Sequence, residues 1–81
     1  MEIRYSNEAA KALRKCDKRT LIKEKIELLA RDPLTLKANV KRLKGRDDYR
    51  LRVQNWRILF RIEDDILHVD DVTPRGSAYE D

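Results

Sequence analysis

The stretch from Tyr49 to Ile62 constrains this chain more than any other. Tyr49-Arg50-Leu51-Arg52-Val53 alternates strictly between apolar and charged residues, Gln54-Asn55 follows, and Trp56-Arg57-Ile58-Leu59-Phe60-Arg61-Ile62 continues in strand-forming residues. Two β-rich runs separated by two residues, the second an Asn, predict a hairpin. Side chains alternate across a strand and a two-residue turn preserves facing, so Tyr49, Leu51 and Val53 share a face with Trp56, Ile58, Phe60 and Ile62. That face is expected to pack on the core. The other face then carries Arg50, Arg52, Arg57 and Arg61. Like charges opposed across a sheet cost about 0.2–1 kcal/mol each. Either an anion, with phosphate the first candidate, uses the cluster, or acidic residues of the tail or of a partner neutralise it.

The remaining elements are read around this hairpin. Met1 to Tyr5 reads as a short strand, and Ser6-Asn7 supplies N-cap residues for a helix through Cys16, with Ala9, Leu13 and Cys16 at helical spacing. Asp17 is expected to cap a second helix from about Lys18 to Arg31, whose stripe is Leu21, Ile22, Ile26, Leu28 and Leu29. Asp32-Pro33 ends it, because a residue before proline is driven out of the helical region. Leu34 to Asp48 is polar and basic, with a turn at Lys44-Gly45. Glu63-Asp64-Asp65 turns the chain into a last strand, Ile66 to Val72, before Thr73-Pro74. The predicted fold class is α+β in the order β-α-α-β-β-β, a helical hairpin packed on one face of a small, mainly antiparallel sheet.

Length and composition remove several classes of function. Eighty-one residues are read as one domain, 1–81, too small for a large cofactor fold. A single cysteine, Cys16, makes no internal disulfide, and a single histidine, His68, does not build a zinc site of the usual thiolate and imidazole kind, so neither a metal nor a cofactor is expected. Cys16 reads as a small buried hydrophobe. No apolar run exceeds three residues, far short of the roughly 20 that a membrane helix needs, and Met1-Glu2-Ile3-Arg4 does not begin a signal peptide. A cytoplasmic protein without membrane contact is expected.

The net charge of +4 conceals an asymmetry. Residues 1–62 carry 18 basic and 8 acidic side chains, whereas residues 63–81 carry 1 basic and 7 acidic. Nine basic residues lie between Lys37 and Arg61 against only Asp47 and Asp48. Such a cluster predicts a polyanionic partner, and arginine suits a nucleic-acid backbone because its planar fork grips phosphate oxygens and stacks on bases. Cleaving RNA through its own 2′-hydroxyl needs a base, a donor for the leaving 5′-oxygen and cations for the phosphorane, with no metal ion required. The chain offers many cations and few bases: His68, the carboxylates near the C-terminus, and Lys44.

Lys37-Ala38-Asn39-Val40-Lys41-Arg42-Leu43-Lys44-Gly45, then Tyr49-Arg50-Leu51-Arg52-Val53 and Trp56-Arg57-Ile58-Leu59-Phe60, with the ending Pro74-Arg75-Gly76-Ser77-Ala78-Tyr79-Glu80, resemble the RelE branch of the RelE/ParE toxin superfamily. The resemblance spans essentially the whole chain, and the arginine followed by tyrosine near its end points to the RNase branch. It implies the toxin of a type II toxin-antitoxin pair, a ribosome-dependent endoribonuclease that cuts mRNA in the A site and is held inactive by a RelB-like antitoxin. By position, Arg57 corresponds to the residue that stabilises the phosphorane, Arg75 to the donor for the leaving oxygen and Tyr79 to the group that orients a base. Arg52 belongs to the same catalytic set, and Lys44, Arg50 and Arg61 are expected to hold RNA. One departure matters: family members carry lysines where Arg50 and Arg52 stand, and one of those lysines is the proposed general base. Arginine, with a pKa above about 12, is a poor base.

Two other functions stay open, a ParE-type inhibitor of DNA gyrase without enzymatic activity, and a degenerate member that only binds its antitoxin. His68, in mid-strand, reads more readily as a packed residue than as a catalyst, and Trp56 as core. Tyr79, with no evident core role, reads as functional. The helix cations Lys11, Arg14, Lys15, Lys18 and Arg19 form a solvated face or a grip on ribosomal RNA.

Overall fold

A computed structural model describes residues 1–42 and 48–74. Its elements are β1 (Glu2–Tyr5), α1 (Asn7–Arg14), α2 (Arg19–Arg31), a 3-10 turn at Lys37–Asn39, β2 (Val40–Arg42), β3 (Tyr49–Val53), β4 (Trp56–Glu63) and β5 (Ile66–Pro74). The five strands form one sheet in the order β1-β5-β4-β3-β2. Three of its pairings are antiparallel, and β1 lies parallel to β5. Both helices contribute to one core: Ala9, Leu13, Ile22, Ile26 and Leu29 cluster with Leu51, Val53, Ile58, Phe60, Leu67, Val69 and Val72 of the sheet. Cys16, buried and unoxidised, belongs to the same cluster. No helix among the described residues is long and apolar enough to cross a membrane.

The α+β architecture and the hairpin agree with the sequence. Tyr49 stands opposite Phe60, and their rings stack with centroids 5.5 Å apart, a cross-strand aromatic pair that favours this register over a slipped one. Trp56 is partly buried against the core, as expected.

Several details differ from expectation, each for a physical reason. The polar segment Leu34 to Asp48 contains a strand, β2, in which Val40 alone is packed against the core, so three residues show too little alternation to reveal it. Asp17 does not cap α2; Lys18 occupies the N-cap without a side-chain hydrogen bond, and its amide donates to Cys16 Sγ at 3.3 Å. In the hairpin turn it is Gln54, rather than Asn55, that takes the left-handed conformation, at φ 53°. Asp64 and Asp65, both at positive φ, close the β4–β5 turn. Ile62, expected on the packed face, is 42% exposed near the far end of β4. Finally, β5 runs on to Pro74 and carries a bulge: Leu59 pairs with Asp71 whereas Phe60 pairs with Val69, which leaves Asp70 as the extra residue. The bulge returns Val72 to the core and turns Asp71 and Thr73 onto the arginine face.

Ser6 joins α1 to this bulge. Its amide donates to the Val69 carbonyl at 2.9 Å and its hydroxyl donates to the Asp70 carbonyl at 2.7 Å, while the same hydroxyl accepts from the Ala9 amide at 3.0 Å as a helix N-cap. One side chain therefore satisfies a helix terminus and a carbonyl freed by the bulge. Ser6→Ala is expected to lower stability by about 1–2 kcal/mol, the upper end of the usual cap effect, in urea unfolding. A loss below about 0.5 kcal/mol would show that the second hydrogen bond carries no weight.

Candidate functional site

The register of β3, β4 and β5 sets the site. Arg52 stands opposite Arg57, and Arg57 opposite Thr73, so one row on the face away from the helices is Arg52, Arg57 and Thr73. The next row is Lys41, Arg50, Leu59 and Asp71, reaching from β2 to β5. With strands about 4.8 Å apart and side chains on one face about 7 Å apart along a strand, Arg50, Arg52 and Arg57 arise within about 5–8 Å of one another.

Burial distinguishes the three. Arg50 is 8% exposed and Arg57 9%, and they are the only charged side chains buried among the described residues. Arg52, between them on the hairpin, is exposed. Burial lowers the proton affinity of the Arg50 guanidinium from its ordinary value, and the like charges of Arg52 and Arg57 lower it further. Holding cations out of water beside one another is unfavourable, and an anion at this point relieves both the desolvation and the repulsion.

Arg61 is set apart from this group. It lies four residues along β4 from Arg57, about 13 Å away. Its Nε donates to Asp70 Oδ2 at 3.2 Å and its Nη1 to Glu63 Oε2 at 2.7 Å. The Asp70 carboxylate foremost, and then Glu63, hold its proton more tightly than usual. Carboxylates thus engage Arg61, and Arg50, Arg52 and Arg57 are grouped apart from it as a cationic centre. His68 pairs with Arg61 on one side and Arg4 on the other, and Arg4 is bound to Glu2. Five residues of β5 separate His68 from Thr73, about 16 Å, so His68 is not beside Arg57. Lys44, Arg75 and Tyr79 lie outside the described residues.

Three residues on this face escaped the sequence reading. Lys41 belongs to the unrecognised β2, and Asp71 and Thr73 face the arginines only because of the bulge. The signal for the bulge was present: in Val69-Asp70-Asp71-Val72 two polar residues stand between apolar ones, which breaks a period of two. Among the described residues no three His, Cys, Asp or Glu side chains are grouped to hold a metal ion.

The family model of the ParE toxin of type II toxin-antitoxin systems, parDE, matches residues 3–79. The chain belongs to the RelE/ParE toxin superfamily. Among curated proteins none matches this toxin significantly in sequence. Among solved structures it is similar to RelE in the archaeal RelE–RelB complex of Pyrococcus horikoshii, with 24% identity over 95% of this chain and 97% of that one and a TM-score of 0.79. The RelB–RelE antitoxin–toxin complex of Methanococcus jannaschii gives 28% identity over 86% and 87% of the two chains, with a TM-score of 0.72. YafQ of E. coli gives 18% identity over 98% of each chain, with a TM-score of 0.78. The toxin therefore has a RelE-like fold, two helices on a five-stranded mixed sheet.

Thr73 gives the face a measurable property. Its hydroxyl is buried, opposite Arg57, and has no hydrogen-bond partner among the described residues. Such a group costs about 1–3 kcal/mol of desolvation. Thr73→Val keeps the shape and removes the hydroxyl, so it is expected to raise stability by about 1 kcal/mol in thermal or urea unfolding. A drop in the midpoint would mean that the hydroxyl is bonded in the folded protein.

Proposed function

We propose that the toxin is a ribosome-dependent endoribonuclease that cleaves mRNA in the A site by attack of a ribose 2′-hydroxyl on the adjacent phosphate, without a metal ion. The observation that carries this reading is the buried pair of guanidiniums, Arg50 and Arg57, with Arg52 exposed beside them. A surface that only docks on another protein has no need of buried like charges, whereas a pentavalent phosphorane does, because preorganised cations act most strongly on it where water is excluded. In the reaction the 2′-oxygen bonds to phosphorus as its proton leaves, and the bond to the 5′-oxygen breaks as that oxygen gains a proton. Arg57 stabilises the dianion, Arg52 supports it, and Lys44 and Arg50 hold the backbone. Arg75 protonates or hydrogen-bonds the leaving oxygen, and Tyr79 stacks on the base. Arg61, engaged by Asp70 and Glu63, contributes to the shape of the face rather than to the phosphate site.

The partners follow from the same chemistry. The relatives from P. horikoshii and M. jannaschii are RelE–RelB complexes, and a RelB-like antitoxin with acidic character would cover the cationic centre of this toxin. The ribosome and its mRNA place the protein in the cytoplasm. The name of the matching family, ParE, favours a second reading, a gyrase inhibitor without RNase activity.

Primer extension on an mRNA in a purified translation system separates the two. Cuts within the A-site codon are expected only when ribosomes are present; Arg57→Ala and Arg75→Ala are each expected to reduce cleavage at least about 100-fold, the usual loss of one transition-state donor, and Tyr79→Ala at least about fivefold, the loss of one stacked base. Toxicity with intact mRNA and damaged DNA would replace this reading by the gyrase one, and full cleavage by all three variants would overturn the assignment of roles.

A further inference from the structure

A cleft of about 340 Å3 opens beside the cationic centre, between the 3-10 turn and the β2–β3 pair, lined by Ala38, Asn39, Val40, Lys41, Arg50 and Arg52. Two of its walls, Arg50 and Arg52, are also members of the centre, so the cleft continues the phosphate site toward the β2 edge of the sheet. Among the described residues no carboxylate lines it. Lys41 stands opposite Arg50 on the same face and is exposed. Two strand spacings and a two-residue step separate it from Arg57, about 12 Å along the surface. Asn39 ends the 3-10 turn, where its amide donates to the Leu36 carbonyl at 2.8 Å, and Leu36 is anchored in the core. Its backbone is therefore fixed while its side chain is exposed. A carboxamide offers a donor and an acceptor side by side, the pattern that reads a base edge, whereas lysine acts on phosphate as a point charge.

We propose that this cleft is a nucleotide subsite: it takes one RNA nucleotide flanking the phosphate held by Arg57, with Lys41 on its phosphate and Asn39 on its base edge. The proposal rests on the RNase reading above and adds to it a direction for the RNA, across the strands from β4 toward β2, and a source of base preference outside the reacting centre. Exposed single-stranded bases are read in this way, by edge hydrogen bonds beside a cationic groove that follows the backbone.

The test uses the full chain and four single-stranded RNA hexamers that differ at one base and carry 2′-deoxyribose at the cleavable position. Binding is followed by fluorescence anisotropy from low to moderate salt. Lys41→Ala is expected to weaken all four hexamers alike, by about tenfold, and to reduce the slope of log K against log salt by about 0.7, the share of one phosphate contact on a single strand. Lys41→Arg restores the slope. Asn39→Ala is expected to leave the slope unchanged and to equalise the four affinities at one position of the hexamer. Both residues are exposed, and thermal unfolding of each variant checks that the fold is kept. Wild-type affinity and slope in Lys41→Ala, or base preference intact in Asn39→Ala, would overturn the subsite, as would failure of the wild-type protein to bind any hexamer. The RNase reading is decided separately by A-site cleavage and its loss in Arg57→Ala, so cleavage with no effect at Lys41 or Asn39 removes the subsite alone, and absence of cleavage removes the reading beneath it.

Discussion

The arginine face depends on the register of β3 against β4. Stacking of Tyr49 on Phe60 and burial of Leu51, Val53 and Ile58 hold that register, and a slip of one residue would carry Arg50 and Arg52 into the apolar core. The energies are unequal. Each buried aliphatic side chain is worth about 1.5–3 kcal/mol, whereas opposed arginines cost about 0.2–1 kcal/mol. The hydrophobic face thus sets the register, and repulsion on the other face is imposed by it. Clustering of Arg50, Arg52 and Arg57 is in this sense a consequence of core packing, which lets an 81-residue domain hold like charges together without a dedicated scaffold.

Strand pairing also arranges the charges of the sheet. Toward the β1 side, each arginine has a carboxylate: Arg61 has Asp70 and Glu63, and Arg4 has Glu2. Toward β2, Lys41, Arg50, Arg52 and Arg57 collect on one surface. The bulge at Asp70 aims one aspartate at Arg61 and brings Asp71 and Thr73 round to the face that carries Arg50 and Arg57. Ser6 ties the start of α1 to that point, so a helix cap and the electrostatics of the sheet are fixed by a single side chain. Net charge alone, at +4, carries none of this.

Much of the fold was legible because its signals are periodic. Alternation from Tyr49 to Ile62 located the hairpin and its faces, and the Asp32-Pro33 step ended α2 where the structure ends it. What stayed hidden depends on contacts that local pattern does not encode. β2 is too short to alternate visibly, and it exists because β3 offers it an edge. The burial of Arg50 arises from its central position between β2 and β4, which no window around residue 50 reveals. Arg61 looked equivalent to Arg57 in sequence, and the burial of Arg57 together with the position of Asp70 beside Arg61 distinguishes them. Of the site residues, Arg50, Arg52 and Arg57 are brought together, whereas Lys44, Arg75 and Tyr79 lie outside the described residues.

Under the proposed RNase function, the composition of the centre bears on how catalysis would be shared among its parts. Arginine is by its chemistry a poor general base, and His68 is about 16 Å along β5 from the row that holds Arg57. General base catalysis contributes about 10²- to 10⁴-fold, or roughly 3–5 kcal/mol. Positioning of the 2′-hydroxyl against the phosphate contributes about 7–11 kcal/mol, and each preorganised donor to the developing charge about 2.7–4 kcal/mol. A site that keeps two buried guanidiniums and a substrate held in line, while leaving the proton to water or to a carboxylate, therefore keeps the larger part of the acceleration. The exchange of lysine for arginine shifts such an enzyme toward stabilising charge and away from moving protons. Under the proposed RNase function, the rate at such a site depends less on the protonation of a side chain near neutral pH than on how well the RNA is held in place.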